Sequence, residues 1–271
     1  MIDLHLHTTA SDGTLTPSAL VSRAAAIGLR IIAVTDHDTL AGLPEARAAA
    51  AAHGLRLVDG VEITAVEDRR DLHLLAYFID PANAALVDFL AVQRQDRMRR
   101  MRDIAERLAA LDVPVDIESV IAERKDGRSL GRPQIADALV AAGHARDRDD
   151  AFDRFIGSDR PAYVPRRGAR PDDVIDIVRR AGGIVSMAHP ALTKKDEIIP
   201  RLASAGLAAL EARHSDQDPA AEQHYRELAS RYGLAVSGGS DFHGDAGHRA
   251  ALFGSVVLPL EDFAAFESRR A

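Results

Sequence analysis

Several short stretches of this chain carry side chains that bind metal. Asp3-Leu-His5-Leu-His7 opens it, with Asp12 close behind in Ser11-Asp12-Gly13. Thr35-Asp36-His37-Asp38, Glu62 and His73 follow, and His189, Glu211, His214, Asp241 and His243 lie in the last third. In a strand, side chains repeat on one face every two residues, so Asp3, His5 and His7 share a face opposite Ile2, Leu4 and Leu6. Two imidazoles on one face can chelate a single ion, and Asp241-Phe-His243 repeats the spacing on a loop. A carboxylate such as Glu62 can bridge two ions about 3.5–4 Å apart. Each piece alone has an ordinary explanation: a hydrogen-bonded pair, an Asx turn, a cap for Glu62, a packed histidine for His73, a strand terminator for His189-Pro190. Their coincidence at strand ends is harder to explain without metal, because clustered imidazoles and carboxylates are costly to bury unpaired.

The elements that must position them follow a β/α rhythm. Strands are expected at Ile2–His7, Ile31–Thr35, Leu55–Val58 leading into Val61–Thr64, Leu72–Phe78, Gly183–Ala188, Leu207–Ala212 and Leu234–Ser237, with Val256–Leu258 as a last candidate. Ala-rich amphipathic segments separate them, including a helix from Pro17 with Thr16 as N-cap and another over Leu43–His53. The rhythm breaks between residues 80 and 168, where a long Arg-rich helix and shorter helices are expected. This predicts an α/β fold, a parallel seven-stranded barrel or barrel-like sheet over 1–79 and 169–271, with an inserted helical domain at 80–168. In such folds chemistry gathers at the C-terminal ends of the strands, where the metal-binding residues fall.

Composition narrows the function. The net charge of −7 argues against a surface that coats long duplex nucleic acid. Yet residues 81–170 hold half of the 34 Lys and Arg, which suits a lid meeting an anionic substrate. With no cysteine there is no thiolate site, disulfide or cysteine nucleophile. No apolar run reaches the roughly 18 residues of a membrane span, and no signal-peptide pattern opens the chain, so a cytoplasmic location is expected. No P-loop or dinucleotide fingerprint occurs.

Together, Asp3-Leu-His-Leu-His7-Thr, Ser11-Asp-Gly13, Thr35-Asp-His-Asp38, Gly60-Val-Glu62, His73, Ala188-His-Pro190 and Ser240-Asp-Phe-His243 resemble the PHP (polymerase and histidinol phosphatase) superfamily. The resemblance implies a distorted seven-stranded β/α barrel, (β/α)7, with a trinuclear metal site. One ion would be held by His5, His7, Glu62 and Asp241, a second by Asp12, His37 and His243, and a third by Glu62, His73 and His189. The insertion, through Gly131-Arg-Pro-Gln-Ile-Ala136 and Pro161-Ala-Tyr-Val-Pro165, is similar to that of nucleoside 3′,5′-bisphosphate phosphatases and 5′-to-3′ oligoribonucleotide exonucleases.

The chemistry expected is hydrolysis of a phosphate ester by a hydroxide shared between two or three divalent ions, Mn first, with Fe or Zn also fitting the mixed donors. Asp3, Asp36 and Asp38 are expected to orient imidazole rings through their second nitrogen. Arg132, Arg166 and His248 are candidates to bind phosphate, and His214 to protonate the leaving oxygen or bind a second phosphate. The substrate expected is a small nucleotide or short oligonucleotide. The alternatives are a small-metabolite phosphatase, such as one for histidinol phosphate, and a non-catalytic metal-stabilised module. His53, His144 and His224 read as surface residues.

Overall fold

The structure, a computed structural model, describes residues 1–123, 127–245 and 248–270, without the side chains of 123, 248 and 249. The role expected of His248 therefore lies outside the described residues. In chain order the first half runs β1 (Ile2–Asp3), α1 (Pro17–Ala26), β2 (Ile31–Val34), α2 (Leu43–His53), β3 (Arg56–Glu67) and β4 (Arg70–Tyr77). A helical segment follows: α3 (Ala84–Ala109), α4 (Ile117–Glu123), α5 (Arg132–Ala141), α6 (Arg148–Ala151) and a π-helical turn (Phe152–Ile156). The second half runs α7 (Pro171–Arg180), β5 (Ile184–Met187), α8 (Pro190–Thr193), α9 (Ile199–Ala205), β6 (Ala209–His214), α10 (Pro219–Arg231), β7 (Ala235–Gly239) and α11 (Leu260–Glu267).

The seven strands pair in sequence order, β1 through β7. β1–β2–β3 and β5–β6–β7 are parallel, but β4 is antiparallel to both neighbours, a correction to the parallel sheet expected. The cause is the turn: Asp68 and Arg69 both have positive φ, +48° and +64°, so β3 and β4 form a tight hairpin rather than a crossover. No glycine marks that turn. β3 is one strand of 12 residues and merges the two apolar runs read separately.

The sheet nearly closes. Leu4 N–H donates to the Gly238 carbonyl at 3.2 Å and His7 N–H to the Phe242 carbonyl at 3.0 Å, while Leu6 pairs with Phe242. Regular β1 is thus shorter than the Ile2–His7 expected, because the partners of its second half lie in the loop after β7. Val256–Leu258 is not a strand; Leu258 N–H donates to the Ile2 carbonyl at 2.8 Å.

α1 begins as expected, with Thr16 Oγ1 accepting the Ala19 N–H. α3 decides how the helical segment meets the barrel. Its buried stripe recurs every three or four residues: Leu86, Leu90, Gln93, Asp96, Arg100, Ile104 and Leu108. The first two join the barrel core, the last two join a separate apolar cluster built from α3, α5 and residues 151–164, and the polar middle crosses the strand ends. Among the described residues no helix is long and apolar enough to cross a membrane.

Candidate metal centre

Strand geometry brings the donors together. Asp3, His5 and His7 are fully buried on one face of the first strand and its continuation. His73 lies near the start of β4, and the start of an antiparallel strand sits at the same end of the barrel as the ends of its neighbours. At the seam, a Cβ on Gly239 would lie 2.4 Å from His5 N, so only glycine lets β7 approach the first strand here. Asp38, His189 and Asp241 all have positive φ (+52°, +27°, +51°), a costly conformation for non-glycine residues that tends to gather at functional sites.

Glu62 is the hub. Its Oε2 lies 3.2 Å from His5 Nε2, 3.1 Å from His7 Nε2 and 3.3 Å from His37 Nδ1. Its Oε1 lies 2.8 Å from His73 Nδ1 and 3.3 Å from His189 Nε2. Asp241 Oδ1 is 3.3 Å from His5 Nε2 and 3.2 Å from His7 Nε2. Asp12 faces His243 Nε2 at 3.3 Å and His37 Nε2 at 3.7 Å. All nine residues expected to bind metal therefore converge. His5, His7, Glu62 and Asp241 form one group with donor atoms close enough to share an ion; His7, Asp12, His37 and His243 form another, and His37, Glu62 and His73 a third.

The donor set fits divalent cations on a further ground. His7 Nε2, His37 Nδ1 and His73 Nδ1 are buried and make no hydrogen bond, although Glu62 oxygens stand within 3.3 Å of each. Buried nitrogens that crowd a carboxylate without aiming at it share a centre with it. Charge follows the same crowding. Burial lowers the His7 pKa, but the Asp241 and Glu62 carboxylates crowded against it outweigh that and raise it to about 10 in the metal-free chain. Burial holds His37 down at about 3 despite Glu62 and Asp12 beside it. Burial raises Glu62, yet His37, His73 and His5 hold it well below the usual carboxylate range.

The surrounding carboxylates act differently from expectation. Asp3 accepts the His5 and Ser240 N–H groups, Asp36 accepts Thr8 N–H and the Thr8 and Ser11 hydroxyls, and Asp38 accepts Thr64 N–H and two arginines. These three hold backbone, hydroxyl and guanidinium groups, with no imidazole among those bonds. The ring-orienting carboxylate is Glu211, whose Oε1 lies 2.8 Å from His5 Nδ1 and whose Oε2 accepts the His189 N–H at 2.7 Å. The sequence places Glu211 at a strand end but gives it no role.

His214 also differs. Its side chain is fully buried, and its Nδ1 accepts the Asp216 N–H at 3.1 Å, so its proton sits on Nε2, 3.2 Å from Asp241 Oδ2. It braces Asp241, and both of its nitrogens are engaged within the protein, unlike the free donor expected for a leaving group or a second phosphate.

Beside the cluster lies a cavity of about 190 Å³ with Asp12, His37 and His73 on one wall and Arg97, Arg100, Arg132 and Arg166 on the other. Arg97 and Arg166 reach Asp38 Oδ2 at 2.5 and 3.2 Å, and Arg100 reaches Asp71 at 3.1 Å. Arg166 is thus buried against Asp38, whereas Arg132 is partly exposed and 3.6 Å from Asp71. Arg100 Nη2 and Arg166 Nε are buried without a hydrogen-bond partner. Arg97 and Arg100 are missed by sequence reasoning, which reads the basic stretch as a lid for an anionic substrate without singling out either residue. The usable signal is their place in the i, i+3, i+4 stripe of α3.

A family profile for the PHP domain matches residues 3–114. The chain is 36% identical over 248 residues to the 5′-3′ exoribonuclease Rnm of Salmonella typhimurium, covering 89% of this chain and 84% of that protein. It is 32% identical to the 3′,5′-nucleoside bisphosphate phosphatase of Chromobacterium violaceum, covering 93% and 92%. Among solved structures it is similar to a protein of Bifidobacterium adolescentis assigned as a metal-dependent phosphoesterase, with a TM-score of 0.90, 37% identity, and coverage of 100% and 96%.

Proposed function

Because the chain belongs to the PHP domain family and is a metal-dependent phosphoesterase, we propose that its substrates are nucleotides with two nearby phosphates: nucleoside 3′,5′-bisphosphates and short 5′-phosphorylated oligoribonucleotides. The carrying observation is the arginine-walled cavity that shares His37, His73 and Asp12 with the donor cluster. Arg97 and Arg166 are tied to Asp38, but Arg100 and Arg132 share the single carboxylate of Asp71, so a second phosphate beside the cluster would meet two guanidinium groups. The names of the two relatives, one an exoribonuclease and one a bisphosphate phosphatase, agree with that reading.

In this proposal His5, His7, Glu62 and Asp241 hold one ion, Asp12, His37 and His243 a second, and Glu62, His73 and His189 a third. Manganese is the first candidate, and iron and zinc suit the same donors. Bound there, the cations would supply Lewis acidity, neutralising phosphoryl oxygens and making water acidic enough to attack near neutral pH. The protein does the positioning. Arg132 and Arg100 grip the 5′-phosphate and fix the 3′-phosphorus over the cluster. The bond from phosphorus to O3′ breaks, water oxygen bonds to phosphorus, and O3′ leaves with a proton as the 3′-hydroxyl. Residues 80–168 are the lid that carries these arginines, and the enzyme works in the cytoplasm.

The test is phosphate or nucleotide release by Mn-loaded protein from adenosine 3′,5′-bisphosphate, AMP, histidinol phosphate and a 5′-phosphorylated tetraribonucleotide. The expected result is selective turnover of the first and last, with Arg132→Ala lowering kcat/KM on the bisphosphate at least tenfold, the ~1.5–3 kcal/mol of a hydrogen bond to a charged group. Preference for histidinol phosphate, with Arg132 dispensable, would sink the substrate assignment and leave the metal centre standing.

A further inference from the structure

Adjoining the arginine-walled cavity, with which it shares Asp71, His73 and Arg132, a second cavity of about 260 Å³ is also lined by His189, Arg70, Ser158, Tyr163 and Lys195. Arg70, Ser158 and Tyr163 also line a third cavity, which adds Asp68, Arg69, Arg107 and Asp159. The shared residues make the two continuous, so a groove leads from the donor cluster out along the β3–β4 hairpin. From His73 to Arg70 is three residues of strand, roughly 10 Å at about 3.3 Å per residue, beyond the reach of a single phosphate held at the cluster.

The groove's chemistry is specific. Arg69 and Arg70 have no ion pair among the described residues, and Arg107 spends one Nη on the Tyr163 carbonyl. The opposing Asp68 is already taken by Lys195 and Glu67 by Arg201. Tyr163 stands where the two cavities meet, an aromatic ring set among cations. Moreover, Asp68, Arg69 and Asp159 on its wall are all non-glycine residues with positive φ. An Asp-Gly turn would make the same hairpin without that strain, so arginine at position 69 is a stability cost that the turn itself does not require.

We propose that this groove is a downstream subsite for single-stranded RNA: it holds the part of an oligoribonucleotide attached to the scissile phosphate, with Arg69, Arg70 and Arg107 on phosphates and Tyr163 stacking a base. The inference rests on the nucleotide reading above and specifies it, because a bisphosphate ends at the cluster and leaves the groove empty. A cationic track with an aromatic ring suits a flexible single strand, whose bases all offer a face to stack. Hydrolysis at the terminal nucleotide leaves a shortened strand that again carries a 5′-phosphate, so a product retained in this groove is the next substrate.

The test uses Arg69→Gly, which suits the left-handed turn, and Arg107→Gln. Each is assayed on a 5′-phosphorylated tetraribonucleotide and on adenosine 3′,5′-bisphosphate, with melting temperature recorded. The expected result is a five- to tenfold fall in the ratio of kcat/KM on RNA to that on bisphosphate, with the melting temperature of Arg69→Gly held or raised. Affinity of the chelator-treated variants for a 3′-fluorescein-labelled copy of that RNA should weaken by a similar factor, with a log–log salt slope shallower by about one. An unchanged ratio and slope in both variants would overturn the subsite alone. Failure of the unsubstituted protein to turn over either substrate would overturn the nucleotide reading and the subsite with it.

Discussion

His5 Nδ1 lies 2.8 Å from Glu211 Oε1, and this contact leaves Nε2 as the nitrogen that faces Glu62 and Asp241. The other oxygen of Glu211 holds the backbone of His189, so one buried carboxylate sets two donors contributed by different parts of the chain. Glu211→Gln keeps one acceptor but turns an amide N–H₂ toward the other donor. The expected consequence is a 10- to 100-fold loss of metal affinity with the fold retained. Metal titration followed by elemental analysis measures it; unaltered stoichiometry and affinity would assign Glu211 to packing.

Asp38 joins the helical segment to the barrel. It is fully buried, and Arg97 and Arg166 both reach it from residues between β4 and α7. Burial raises its pKa, but the two guanidinium groups outweigh that and hold it below the usual carboxylate range. A depressed folded-state pKa means the stabilisation is present above the unfolded value of about 3.9 and is lost as pH falls below it. Asp38→Asn should destabilise the protein by about 3 kcal/mol at neutral pH, the cost of stranding buried arginines. The gap from the unsubstituted protein should narrow below about pH 4. Urea unfolding in chelator at both pH values checks the size and the sign.

Both ring nitrogens of His214 are engaged, Nε2 with Asp241 and Nδ1 with the Asp216 N–H, so its expected role is to support Asp241. His214→Ala should lower metal affinity and kcat/KM while leaving the shape of the pH–rate profile intact at saturating metal. Loss of the profile's basic limb would instead restore the general-acid role.

Chelation should lower the melting temperature. A ligand at a hundred times its Kd stabilises by about 2.7 kcal/mol, roughly 5–10 °C for a domain of this size. Readdition of Mn should restore both stability and activity. A melting temperature indifferent to chelator would mean the cluster holds no ion tightly enough to matter.

How much was legible depended on whether the signal was local. The period of two put Asp3, His5 and His7 on one face, and the turns and apolar runs put His37, Glu62, His189, Asp241 and His243 near strand ends. The direction of β4 was hidden, because Asp68-Arg69 adopts a glycine-like turn without glycine. The arginine wall was hidden too, since nothing local singles out Arg97 and Arg100 until α3 is laid across the strand ends.

The sequence by itself determined the donor types, their spacing and the strand-end placement of most of them, because side-chain alternation along a strand is a local property. Only the tertiary structure decided that Glu62 offers one oxygen to His5, His7 and His37 and the other to His73 and His189. It alone decided that Glu211 and His214 brace donors, and that α3 supplies cations to the same cavity. Those relations join residues distant in the chain, and near-closure of the barrel and packing of one helix over it bring them within hydrogen-bonding reach.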